Sequence, residues 1–167
     1  MKTLLINANR LVFDPAPAFV PGELLIEDGI IISVGAPNEF PREDVTLIDA
    51  EGALVAPGLV DVHTHGRAGG DFTSADLPTL LRMAHSYTEA GVTTVMPTLA
   101  SAPYDDYAAA AARIHAAASS SDGARFLGLH LEGRYLHPEK RGAHATEYLA
   151  PLDGKQPVAC LGVIHGH

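Results

Sequence analysis

The chain has 167 residues, of which 11 are basic and 20 acidic, for a formal charge of −9; this lacks the basic footprint of a general nucleic-acid binder, although a few cations in one loop still suffice for a local phosphate. It is 47% hydrophobic and 19% charged, the balance of a soluble globular protein large enough for a sizeable core. A lone cysteine, Cys160, excludes an internal disulfide framework and fits a reducing cytoplasm, and neither a signal-peptide pattern nor an apolar run of ~18 residues is present to suggest export or a membrane span.

Three strand-like runs open the chain: KTLLINANRLVF, GELLIEDGIIISVG and VTLIDAEGALVAPG. Asp28-Gly29 between ELLIE and IIISVG predicts a hairpin, because glycine supplies the positive φ of a tight primed turn. Pro15, Pro17 and Pro21 place a loop between the first two runs. Residues 1–56 thus read as strands of a small β-domain, too few to close a sheet by themselves. The pattern changes at Pro57-Gly58. LVDVHTHG is a strand, and a helix follows from about Ser74 to Ala90, with Leu77, Leu80, Leu81, Ala84 and Tyr87 on one face. Ser74 is placed to cap it and Gly91 to end it. VTTVMPTLA is the next strand. YDDYAAAAARIHAAAS is a helix with Asp105 and Asp106 in its first turn, where the helix dipole favours them. RFLGLHLEG is the third strand. This alternation is the signature of a parallel α/β sheet. Residues 57–167 hold about three strand–helix units, the opening part of a (β/α)₈ TIM-like barrel, which needs roughly 200–250 residues. From about residue 148 the tail follows neither pattern.

In parallel α/β folds chemistry gathers at the carboxyl ends of the strands, and His63, His65, Thr98 and Glu132 all fall there. In Asp61-Val62-His63-Thr64-His65 the two imidazoles lie two residues apart. They project together from a strand end and can share a cation at Zn–N distances of ~2.0–2.1 Å. The same alternation places Asp61 one step deeper on that face, where it could orient a ligand. The alternative is a pair of polar histidines at a loop start. Glu132 ends the third strand; a carboxylate there is either solvated or matched by a divalent cation. His130 shares its face. The loop Arg134–His144 brings Lys140 and Arg141, equally readable as solvated or as ligand-binding, then small residues and His144, which is read as a substrate contact. His85 and His115 read as helix-surface residues and Met83 as core, while His137 is left open. Cys160 has no partner for nucleophilic catalysis, and neither a Walker-type phosphate loop nor a G-x-S-x-G elbow is present.

PGLVDVHTHG resembles the first-strand motif of the amidohydrolase superfamily. AGVTTVMPTLAS and LGLHLEGRYLHPEKRGAH resemble the N-acetylglucosamine-6-phosphate deacetylases, over a stretch that reaches from the N-terminal strands to about residue 147. The resemblance implies a metal-dependent (β/α)₈ barrel beside a small β-sandwich, and hydrolysis of the N-acetyl group to glucosamine 6-phosphate and acetate. It implies one or two divalent ions, Zn²⁺ foremost, a small amino-sugar phosphate as ligand, a homodimer, and a cytoplasmic location without nucleic-acid or membrane partners. Glu132 matches the family's metal-ligand glutamate. His63 and His65 match ligands of members with two metals, a pair that other members lack. Ala143 matches a position whose backbone contacts substrate, with His144 beside it. No catalytic residue is matched within the chain, since the family's acid–base aspartate and later metal histidines lie beyond residue 167; His165 and His167 are not mapped onto them. The family usually has proline where this chain has Arg134. Arginine is expected to free the loop and to bring a cation towards the metal. Two other readings stand beside the deacetylase: a truncated or frameshifted, non-catalytic product, and a relative that acts on a cyclic amide.

Overall fold

A computed structural model of the chain describes residues 1–12 and 16–151. The chain divides between Pro57 and Gly58 into two compact units. Among the described residues no helix is long and apolar enough to cross a membrane.

The first unit is a mixed five-stranded sheet. Its strands are β1 (Lys2–Val12), β2 (Ala18–Glu27), β3 (Ile30–Gly35), β4 (Thr46–Asp49) and β5 (Leu54–Val55). They lie in the order β3-β2-β1-β4, and β5 also pairs with β1. The β2–β3 hairpin turns through Asp28 and Gly29 at φ +50° and +81°, as the sequence predicts for a primed turn. Pro21 lies inside β2 opposite Asn9, not in the preceding loop. The β2–β3 ladder begins only at Glu23, so at Pro21 the strand pairs on one side and the missing N–H is tolerated. The third apolar run is also not one strand. It breaks at Glu51 and Gly52 into β4 and β5, both parallel to β1. Leu4, Ala8 and Leu24 are buried, with Glu23 among the buried polar residues.

The second unit contains β6 (Leu59–Thr64), α1 (Leu77–Glu89), β7 (Val92–Leu99), α2 (Tyr104–Ser120), β8 (Arg125–Phe126) and β9 (His130–Leu131). All its strand pairs are parallel, and β7 is central. Phe72, Leu80, Met83, Ala84, Tyr87, Val95, Leu99, Ile114 and Phe126 form one buried cluster. Burying each large side chain contributes about 1.5–3 kcal/mol. The cap of α1 is Asp76, whose carboxylate accepts the Thr79 N–H at 2.9 Å, and not Ser74. Pro78 explains the difference. A helix capped at residue 74 would need an N–H from residue 78, whereas one capped at 76 puts proline in the first turn, where no N–H is required.

The third predicted strand is broken into β8 and β9. Arg125 and Phe126 align with Thr94 and Val95, but His130 and Leu131 align with Thr98 and Leu99, so residues 127–129 carry one extra residue against β7. Pro97 in β7 has no N–H to offer the ladder at this point, and Gly128 gives the opposing strand the freedom to bulge. A one-residue shift turns every later side chain to the other face. Phe126 therefore joins the core beside Val95, while His130 and Glu132 fall on the opposite side with Thr98.

Candidate metal centre

The same device operates on β6. Asp61 aligns with Val95 and Thr64 with Pro97, three residues against two. Asp61 spans the bulge: its carboxylate accepts the N–H of His63 at 3.1 Å in an Asx turn. Asp61 is therefore not one step below the histidines on their own face; it acts on His63 through the backbone. Thr64 turns towards the core and bonds the Tyr87 hydroxyl at 2.7 Å. Its neighbours His63 and His65 turn the other way, with ring centroids 5.4 Å apart.

Glu132 meets them there. Its Oε2 lies 2.8 Å from His65 Nε2 and 3.3 Å from His63 Nε2. One ligand atom from each of the three residues fits within 4.8 Å of the others. Two imidazole nitrogens and one carboxylate oxygen are a donor set suited to Zn²⁺ or a similar divalent ion. All three side chains are partly exposed, so the cluster is accessible. Burial pushes the Glu132 carboxyl up, but the hydrogen bond with His63 and the charges of His65, His63 and His144 outweigh it and hold the group below the ordinary carboxylate range. His130 packs edge-on to His63 at 4.9 Å between centroids, and its Nδ1 is 3.1 Å from Thr98 Oγ1. Thr98 also accepts the Thr64 N–H at 3.1 Å. This buried threonine thus links β6, β7 and β9 below the cluster.

Beyond Glu132 the chain turns at Gly133, with φ +98°. A Cβ here would come within 2.6 Å of Ser101 Oγ and 3.0 Å of the His144 ring, so only glycine fits. The loop that follows closes one side of a cavity of about 510 Å³, lined by His65, Glu132, Lys140, Arg141, Ala143 and His144. Ala143 is exposed and His144 buried. His144 Nε2 lies 3.6 Å from Glu132 Oε1. Arg141 donates to the carbonyls of His144 at 2.6 Å and Gly142 at 3.1 Å, so part of its hydrogen-bonding capacity ties down the loop.

Arg134 is engaged away from this cluster. Its guanidinium stacks 4.0 Å over the Tyr104 ring, and its Nε donates to the Tyr148 carbonyl at 3.0 Å. With the Ala150 N–H donating to the Arg134 carbonyl, the arginine fastens the loop rather than freeing it. Its φ of +70° is one that proline cannot adopt. His137 caps the short 3₁₀ turn Pro138–Lys140 by accepting the Glu139 N–H. His85 pairs with Asp122 at 2.8 Å on the surface, and His115 is exposed. Cys160, His165, His167 and most of the unpatterned tail lie outside the described residues. Ser101, which contacts His144, is a functional residue that sequence reasoning missed; a small polar residue just past the end of β7 was the one available hint.

No family model matches the chain. It is similar to the N-acetylglucosamine-6-phosphate deacetylase of Bacillus subtilis, with 34% identity over 138 residues, 79% of this chain and 34% of that protein. It is similar to the N-acetylgalactosamine-6-phosphate deacetylase of Escherichia coli O157:H7, with 36% identity over 133 residues, 78% of this chain and 33% of that protein. Among solved structures, N-acetylglucosamine-6-phosphate deacetylase from Pasteurella multocida superposes with a TM-score of 0.78 at 24% identity, covering 90% of this chain and 39% of the other. The chain spans 26% to 34% of the length of the curated relatives named here and of a similar one from Danio rerio.

Proposed function

We propose that this chain, similar along most of its length to part of the N-acetylglucosamine-6-phosphate deacetylases, supplies metal- and substrate-binding residues for removal of the N-acetyl group from an amino-sugar 6-phosphate. The observation that supports it most is the convergence of His63, His65 and Glu132 from two separate strand ends onto one ligand-sized cluster. In this reading the three residues hold Zn²⁺. The ion would supply Lewis acidity towards an amide carbonyl and a water. Glu132 and the two imidazoles position it. The main chain at Ala143 and the ring of His144 face the sugar. Lys140, on the same cavity, offers a cation for the phosphate.

The strand–helix–strand order of the second unit fits the first units of a (β/α)₈ barrel, and the first unit fits one portion of a small β-sandwich. The chain covers a minor share of its relatives' length, so the proposal concerns the binding steps that these residues can perform themselves. A homodimer in the cytoplasm is the corresponding expectation for the whole enzyme.

The test has two arms. Calorimetric titration of the 167-residue chain with Zn²⁺ is expected to show saturable binding, and its absence sinks the metal reading. Hydrolysis is then measured with a preparation spanning the relatives' full length, as acetate release from N-acetylglucosamine 6-phosphate or its galactosamine epimer and as ring opening of a cyclic imide. Preference for the glucosamine compound supports the proposal. Hydrolysis of the imide alone overturns the substrate class.

A further inference from the structure

Ser101 lies just beyond β7, against the imidazole of His144. Its main-chain N–H donates to His144 Nδ1 at 3.1 Å, and its Oγ lies 2.8 Å from the same nitrogen. A backbone N–H is a donor in every state of the protein, so in the neutral ring Nδ1 is held as the acceptor, with its lone pair towards Ser101. The hydroxyl agrees with this. Ser101 Oγ accepts the N–H of Arg134 at 2.9 Å, which leaves its own proton to turn towards Nδ1. The neutral ring is then protonated on Nε2, the nitrogen 3.6 Å from Glu132 Oε1. Ser101 and His144 are 8% and 9% exposed, so water competes little for these bonds.

We infer that Ser101, held by the main-chain N–H of Arg134, is a tautomer lock: it presents His144 to the cavity as an Nε2–H donor and bars it from serving as a metal ligand. A histidine that ligates a metal usually donates its other ring N–H to a carbonyl, a carboxylate or water. His144 has the reverse surroundings, two donors directed at the nitrogen away from the cavity. To bind a cation through Nε2 it would have to leave one of those donors facing a protonated Nδ1, or lose both ring protons. The lock therefore separates His144 from His63 and His65, although all three imidazoles surround one carboxylate. Ser101 is a positioning residue, since it acts through His144. What the donor serves rests on the metal and substrate reading proposed above, but the tautomer does not.

The decisive measurement is long-range ¹H–¹⁵N correlation on the ¹⁵N-labelled full chain at about pH 8, above the usual histidine range, with His144→Gln used to assign the ring. The expected spectrum shows His144 protonated at Nε2 and bare at Nδ1. Addition of Zn²⁺ is expected to move the nitrogens of His63 and His65 and to leave the His144 Nε2 proton in place. A dominant Nδ1–H form, or loss of the Nε2 proton with zinc, overturns the inference. An intact Nε2–H with no histidine moved by zinc supports the lock and overturns the metal reading instead. In Ser101→Ala the ratio of Nε2–H to Nδ1–H is expected to fall roughly five- to tenfold, the loss of one hydrogen bond, and Ser101→Thr is expected to restore it. Arg134→Ala keeps the main-chain N–H and is expected to leave the ratio unchanged; a shift there would assign the lock to the guanidinium. The unsubstituted chain decides the tautomer even if Ser101→Ala does not fold.

Discussion

Glu23 and Glu132 are two carboxylates, one buried and one half-buried, held to different ends. Glu23, in the first unit, is 2% exposed, and a permanent cation meets it. Arg42 donates from Nη1 to one oxygen at 3.0 Å and from Nη2 to the other, and the Asn38 N–H adds a bond of 2.8 Å. Glu132, in the second unit, keeps 32% of its side chain exposed and faces three imidazoles. An imidazole, unlike a guanidinium, carries no permanent charge, so these three balance the carboxylate only in part. The arginine pair is electrostatically complete. His63, His65 and Glu132 offer two imidazole nitrogens and one carboxylate, a donor set that could hold a divalent cation. One carboxylate serves the fold; the other, on the proposal above, binds a metal.

The sharpest way to break this contrast is the same substitution at both sites. Glu132→Gln removes the only anion of the cluster. Zinc affinity, measured by calorimetry, is expected to fall by more than roughly 100-fold, beyond the 10–100-fold typical for residues that merely support a ligand. Glu23→Gln is expected to leave that affinity unchanged. If both variants weaken zinc equally, the two carboxylates do not differ in the way described.

Stability should show the converse. Glu23→Gln exchanges charge-assisted bonds for neutral ones in a buried setting, and is expected to lower the free energy of unfolding by about 2 kcal/mol. Metal-free Glu132→Gln is expected to change it by less than about 1 kcal/mol, because that side chain keeps contact with water. Urea titration of both variants without zinc checks the pair.

The pH dependence sharpens the structural half. The hydrogen bond from Arg42 is the main reason that the Glu23 carboxyl sits below its ordinary range, burial opposing it and the Asn38 N–H assisting. A carboxyl with a lowered folded pKa contributes stability that is fully present above its unfolded value, about 4.3. That contribution is lost as pH falls through the lower folded value. The gap in unfolding free energy between the unsubstituted chain and Glu23→Gln is thus expected to hold steady from pH 8 to about 5 and to close below about 4. A gap that persists undiminished at pH 3 would falsify the ion-pair account of Glu23.

The order of strands and helices was readable because apolar spacing and turn residues are local. His63, His65 and Glu132 were readable as strand-end polar groups for the same reason. What alternation alone misplaced was facing. Counted evenly, Phe126, His130 and Glu132 share a face; the extra residue opposite Pro97 separates them. A bulge is decided by pairing with a neighbouring strand, and a single strand's composition does not record it. The parallel return of β4 and β5 onto β1 was hidden likewise, being a matter of distant hydrogen bonds. Ser101 was hidden because its partner is 43 residues away. By contrast, Asp76 over Ser74 was in principle legible, since Pro78 fixes where the first turn can lie.

The smallest expected effect tests whether the bulges, rather than the ligands alone, build the cluster. Asp61 holds the irregular step of β6 with one hydrogen bond to the His63 N–H. Asp61→Ala removes that bond and is expected to lower stability by about 0.5–1.5 kcal/mol. The consequence for the site should exceed a uniform loosening. Asp61 bonds the N–H of His63 directly, whereas His65 lies beyond the strand and Glu132 follows β9. Zinc affinity is therefore expected to fall by roughly tenfold, the scale for a residue that orients a ligand. His63→Ala added to Asp61→Ala should then cost little more than His63→Ala alone, because Asp61 acts through His63. Full additivity in that double-variant cycle would mean that the Asx turn stabilises β6 without aiming the histidine.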